Sequence, residues 1–218
     1  MVLSASNIRI NRPKRRLSSL TLLPAVTYRT AVLRQMDYYQ TEGISYTDTQ
    51  WVFSPVTQMK TVYYLNVFVY RYPMGREGQT MDPKIMDKTM SQRLRCYTDL
   101  LKSIQGLKLS PCMVQFTTEQ LAKHAFYIYE FYLINHPRLD RSSLRKFDAE
   151  LKELNPSVYQ RCDEFQYRLH IPYHHISDWR KRGIKRIPLL IRMTGSFLDI
   201  IGTIRIRYFM RSNPNERR

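Results

Sequence analysis

Glycine is scarce in this chain, with seven in 218 residues, about half the usual share. The shortage argues against folds that cradle phosphates on glycine-rich loops and against loop-rich all-β folds. Cysteine is rarer still. Cys96, Cys112 and Cys162 are too few for a disulfide scaffold and fit a reducing, intracellular setting. No G-x-S-x-G elbow, Walker loop, dinucleotide fingerprint or H-E-x-x-H pair occurs, so the common nucleophile, nucleotide and zinc-hydrolase chemistries lack their signatures. Acidic residues are also in deficit, 18 against 35 Lys and Arg, leaving a formal charge of +17. Hydrophobic residues reach 43%, which excludes wholesale disorder and allows a sizeable core.

The surplus charge is unevenly placed. Residues 1–36 carry seven basic groups and no acid, and residues 177–218 carry eleven basic and three acidic groups. The 140 residues between them hold seventeen basic and fifteen acidic groups. Two ends of +7 and +8 thus hold +15 of the +17. Clustered like charge costs stability through self-repulsion, and a polyanion or anionic surface relieves it. Solubility is the plainer explanation, but it does not require segregation into both ends. The ends also favour arginine, fifteen Arg to three Lys, and arginine offers planar, bidentate contact to phosphate.

The first 36 residues, rich in Arg, Ser and Thr and free of acid, match the composition of a mitochondrial transit peptide. The run Arg12-Pro13-Lys14-Arg15-Arg16 reads equally as a nuclear-localisation or nucleic-acid arm. A secretory signal does not fit, because Ser18, Ser19 and Pro24 interrupt the short apolar patch. The one candidate membrane segment, Ile187 to Ile204, contains Arg192 and Asp199. Each such charge costs roughly 2.5–3.5 kcal/mol near a helix centre, against a gain of about 0.3–0.6 per apolar residue. The expectation is a buried or interfacial helix, not a spanning one.

The expected fold is mainly α with a small β-hairpin or sheet (α+β): a helical body with basic N- and C-terminal extensions. Residues 1–24 form a basic arm, 25–176 a near-neutral α-rich body with a β element at about 50–72, and 177–218 a basic segment with an apolar helix. A helix is expected after Pro24, stopped at Gly43. Trp51, Val52 and Phe53, and then Thr61 to Tyr72, are rich in β-branched and aromatic residues and predict two strands. Asp82-Pro83 opens a helix whose Met86, Met90, Leu94, Tyr97, Leu101 and Ile104 repeat at helical spacing up to Gly106. Thr117, with Gln120 and a Phe116–Leu121 staple, marks the next start. That helix is apolar nearly all round and stops before Pro137. Leu144, Phe147, Leu151 and Leu154 form a narrow seam, and Asn155-Pro156 caps a further helix through Leu169. A short basic turn covers Asp178 to Ile184. After Pro188 comes a helix with a thin polar stripe, Arg192, Ser196, Asp199, Thr203 and Arg207, which must be enclosed by the body or a neighbour.

Cys162, His170, His174 and His175 form the one metal-like group, but C-x7-H-x3-H matches no common zinc spacing. Histidines at a polar boundary are the preferred reading, and no metal or cofactor is expected. Asp148, Glu150 and Glu153 alternate with Arg145, Lys146 and Lys152, a solvated ion-pair face before an acid–base pair. Tyr63, Tyr64, Phe68, Tyr70 and Tyr72 resemble a base-stacking strand, yet the glycines that accompany such aromatics are missing, which favours a structural sheet. The candidate anion-binding residues are Arg12, Lys14, Arg15 and Arg16 at one end, and Trp179, Arg180, Lys181, Arg182, Lys185 and Arg186 at the other.

The resulting expectation is not an enzyme but a structural subunit of a large, ribosomal-type assembly, in the mitochondrion, contacting RNA phosphates through its termini. Its partners would be RNA or another polyanion and neighbouring protein subunits. The alternative is a membrane-surface or matrix-type protein, or an accessory subunit of a mitochondrial respiratory complex, held to anionic lipid. A DNA-binding protein in the nucleus ranks third, since no helix-turn-helix or zipper pattern is present.

Overall fold

The computed structural model describes residues 2–4, 23–59, 61–63, 65, 67, 70, 83–136, 140–167, 173–183, and 188–191, 193, 194, 197, 200, 201 and 204. Helix dominates them. In chain order the helices are α1 (Thr30–Gln35), α2 (Asp48–Thr57), α3 (Pro83–Ile104), α4 (Pro111–Glu130), α5 (Arg141–Leu154), α6 (Pro156–Asp163) and α7 (His175–Arg182). The chain divides into two compact units: Met1–Ala125 with Asp140–Arg161, and Phe126–Leu139 with Cys162–Arg218.

The β element differs from expectation. Trp51, Val52 and Phe53 lie in α2, not in a strand. Val52, Phe53 and Val56 are buried on it, and α2 packs against α3. Burial against a helix satisfies these residues as well as a sheet would, so tertiary packing overrides their β preference. Among the described residues the expected hairpin is therefore not formed. Strand β2 (Thr61–Tyr63) instead pairs antiparallel with β1 (Val2–Ser4), Leu3 opposite Val62. Among the expected strand aromatics, Tyr64, Phe68 and Tyr72 lie outside the described residues.

Other boundaries moved for identifiable reasons. The helix expected from Pro24 to Gly43 is reduced to α1, after a 3-10 turn at Leu23–Ala25. Gly43, with φ +71°, sits in the loop beyond it. Helix α4 starts at Pro111, not Thr117. Ser110 Oγ accepts from Met113 N at 3.3 Å, and a proline in the first turn sacrifices no hydrogen bond. Thr117 is buried within the helix and donates back to the Met113 carbonyl at 2.8 Å. α4 gives way to a π-turn at Phe131–Asn135, closed by His136 N–H donating to Phe131 O at 2.8 Å. α6 stops at Asp163 rather than Leu169. Helix α3, the Gly106 stop (φ +77°) and α5 follow the sequence pattern.

The core of the first unit is built on α3, α4 and α5. Leu100, Leu121, Leu144 and Leu151 are fully buried, and each such leucine contributes about 1.5–3 kcal/mol. Tyr97 ties three helices together. Its hydroxyl donates to the Leu121 carbonyl at 2.7 Å, and its ring edge meets Phe147 at 5.5 Å. Buried Gln50 on α2 is paired twice with Thr41, accepting from its N–H at 2.9 Å and donating to its hydroxyl at 2.8 Å. Thr41 then donates to Asp99 on α3 at 3.2 Å. A buried amide with both ends satisfied holds the loop without a desolvation penalty.

Candidate polyanion-contact site

The second unit carries an aromatic cluster. Phe126 and Tyr129 come from the end of α4, Phe165 and Tyr167 from the chain after α6, and His175 and Trp179 from α7. Phe126 lies 5.3 Å from both Phe165 and His175, and Tyr129 lies 6.0 Å from Trp179. Helix α7 is registered by Tyr167 N–H donating to Tyr173 O at 2.9 Å and ends on Gly183, whose φ of +59° suits a left-handed C-cap.

This packing sorts the C-terminal candidates. Trp179 is buried, with its ring among the aromatics instead of facing outwards. Arg180 is also internal, its side chain only 7% exposed. It pairs with Asp163 at 3.0 Å, donates to the Tyr129 hydroxyl at 2.8 Å, and lies 5.2 Å from that ring's centroid. Both residues thus have structural roles, because a buried, committed side chain cannot reach a phosphate or a base without local opening. Lys181 and Arg182 are exposed at the end of α7. Arg182 is 4.0 Å from Asp178 with its side chain 72% exposed, a contact of little energetic weight. Arg12, Lys14, Arg15, Arg16, Lys185 and Arg186 lie outside the described residues.

Basic groups in the first unit behave differently. Arg161 bonds Glu119 at 2.8 Å, Lys123 approaches the same carboxylate at 3.6 Å, and Arg95 stands 3.8 Å from Asp99. The Arg161 hydrogen bond, chiefly, holds the Glu119 carboxyl below its ordinary range. These cations have acids of their own.

The histidines are not brought together as a metal site. His174 Nδ1 lies 3.1 Å from the Asp163 carbonyl. His175 is buried, with no hydrogen-bond partner on either ring nitrogen. Burial, and secondarily the His174 charge, pushes its pKa down to about 4. Among the described residues no group of three or more His, Cys, Asp or Glu is placed to hold a metal ion; His170 lies outside them.

Of the two expectations for the last helix, enclosure by the protein's own body is not what the described residues show. Residues 189–191, 193, 194, 197, 200, 201 and 204 are helical, yet the large apolar side chains among them are not enclosed. Leu189, Leu190, Met193, Phe197, Ile200, Ile201 and Ile204 are between 44% and 75% exposed. The signal was in the sequence: Leu190, Met193, Phe197, Ile200 and Ile204 step by three and four, the spacing of an interaction seam. Among the described residues no helix is long and apolar enough to cross a membrane. No family model matches the chain, and neither the curated proteins nor the solved structures contain a match.

Proposed function

We propose that this chain is a non-catalytic structural subunit of a large ribonucleoprotein assembly, contacting RNA phosphates through its basic ends. The observation that carries the reading is the segregation of +15 of the +17 charge into 78 terminal residues, mostly as arginine. The exposure of Lys181 and Arg182 at the end of α7 supports it. Contacts of this kind position a protein on nucleic acid without reading sequence. The Arg-rich, acid-free N-terminal segment makes a ribosomal-type particle of the mitochondrion the assembly of first choice.

The test is retention of a single-stranded RNA oligomer by the full chain across a salt series. Affinity falls steeply with salt, and each lost phosphate contact lowers the logarithmic slope by about 0.7. A variant carrying Gln at Arg12, Lys14, Arg15, Arg16, Lys181, Arg182, Lys185 and Arg186 loses most of that slope. Trp179 and Arg180 are left intact so that the fold survives. A salt-independent interaction, or no RNA retained at low salt, overturns the reading.

A further inference from the structure

The exposed apolar helix needs a partner that the RNA reading does not provide, because a phosphate backbone offers no apolar surface. We propose that this helix seats its apolar arc in the interfacial layer of a bilayer containing anionic lipid, with the basic segments on either side held to the headgroups. The inference goes beyond the RNA reading by adding the apolar arc, and it shares the C-terminal basic segments with that reading. Leu189, Leu190, Met193, Phe197, Ile200, Ile201 and Ile204 occupy one continuous arc, roughly a third of the helix circumference at 3.6 residues per turn. Leu190 is 75% and Phe197 63% exposed, so the arc is not part of the protein's own core.

Charge selects the occupant. Residues 177–186 hold five basic groups and one acid, residues 187–204 one of each, and residues 205–218 again five and one. The apolar helix is therefore net neutral between flanks of +4 by sequence, the first of which commits Arg180 to Asp163 and so offers +3. At 1.5 Å per residue the helical positions 189 and 204 stand about 22 Å apart, beyond the roughly 8 Å over which charge acts at physiological salt. Each flank must meet its own counter-charge. A second copy of the chain would set basic flanks against basic flanks whether the helices ran parallel or antiparallel. Its seam would span about two heptads, short of the three or four a coiled coil needs. A bilayer interface supplies an apolar layer bordered by extended negative charge, which matches the sequence of basic flank, apolar arc and basic flank.

The experiment is flotation of the full, RNase-treated chain with vesicles of phosphatidylcholine alone or mixed with phosphatidylserine. The expected result is recovery with the mixed vesicles and little with the neutral ones. A Leu190→Gln, Phe197→Gln double variant partitions at least about tenfold less, with an unchanged melting curve because both side chains are exposed. No recovery on mixed vesicles overturns the proposal, as does equal recovery on neutral ones. Undiminished binding by the double variant overturns it too, since charge alone would then suffice. A dimer without lipid that the double variant dissolves would assign the arc to a second copy. Retention of RNA by the same variant reports on the RNA reading separately, so either can fail while the other stands.

Discussion

At the scale of single residues, neighbours in sequence have opposite tasks. Arg180 and Lys181 stand side by side in one basic run, yet Arg180 is buried on Asp163 and Tyr129 while Lys181 faces solvent. Arg180→Ala is expected to destabilise the chain by about 1–3 kcal/mol, since it removes a buried guanidinium that bonds Asp163 and the Tyr129 hydroxyl. Lys181→Ala stays within about 0.5 kcal/mol. Urea denaturation of the two variants checks the contrast. His175 makes a second case. The unfolded chain takes up its proton near pH 6.5, whereas the folded side chain does so only at about 4. The stability it supports is present above that window and is lost as pH falls from about 6.5 towards 4, because the unfolded state then binds the extra proton. His124, half-buried and also pushed to about 4 by burial and secondarily by Arg93, acts in the same direction. His175→Leu should remove one of these two contributions, on the order of 3 kcal/mol across the full window. Denaturation midpoints at neutral and mildly acid pH measure it: an acid loss as large as the wild type's would contradict the assignment.

At the scale of elements, periodicity was readable wherever a helix had one dry face and one wet face. Helices α3 and α5 satisfy that condition: Met90, Tyr97, Leu101 and Ile104 on the first and Leu144, Phe147 and Leu151 on the second are buried, while Leu94 and Leu154 at the same spacing are only partly so. Leu151→Ala on α5 should cost about 2–5 kcal/mol, set by how far its fully enclosed site can collapse; a loss below about 1 kcal/mol in urea denaturation would mean the helix is not anchored there. Legibility failed where the residues involved suit two structures. The Trp51-Val52-Phe53 run has the composition of a strand, but α3 offers it a helical berth. Thr117 with Gln120 carries a capping pattern, but Ser110-Pro111 begins the helix a turn and a half earlier. Local rules propose such starts, and whichever keeps the helix long and its apolar side buried prevails.

At the scale of the whole molecule, the two proposals assign two kinds of surface to partners of different chemistry: the arginine-rich ends to phosphate, and the apolar helix to a water-excluding layer. The salt series and the flotation assay read these surfaces separately, and the Leu190→Gln, Phe197→Gln variant leaves the basic ends in place. The charge distribution, the predominance of helix and the amphipathic seams were determined by the amino-acid sequence alone, because charge and hydrophobic period are properties of the chain. Which cations remain outward was decided only in the tertiary structure. Arg180 and Trp179 are internal because Asp163, Tyr129 and the end of α4 meet α7 there, and contact between residues distant in sequence is not a local property. The same holds for the last helix. Its apolar pattern was visible from composition, but its exposure depends on what the rest of the chain places beside it.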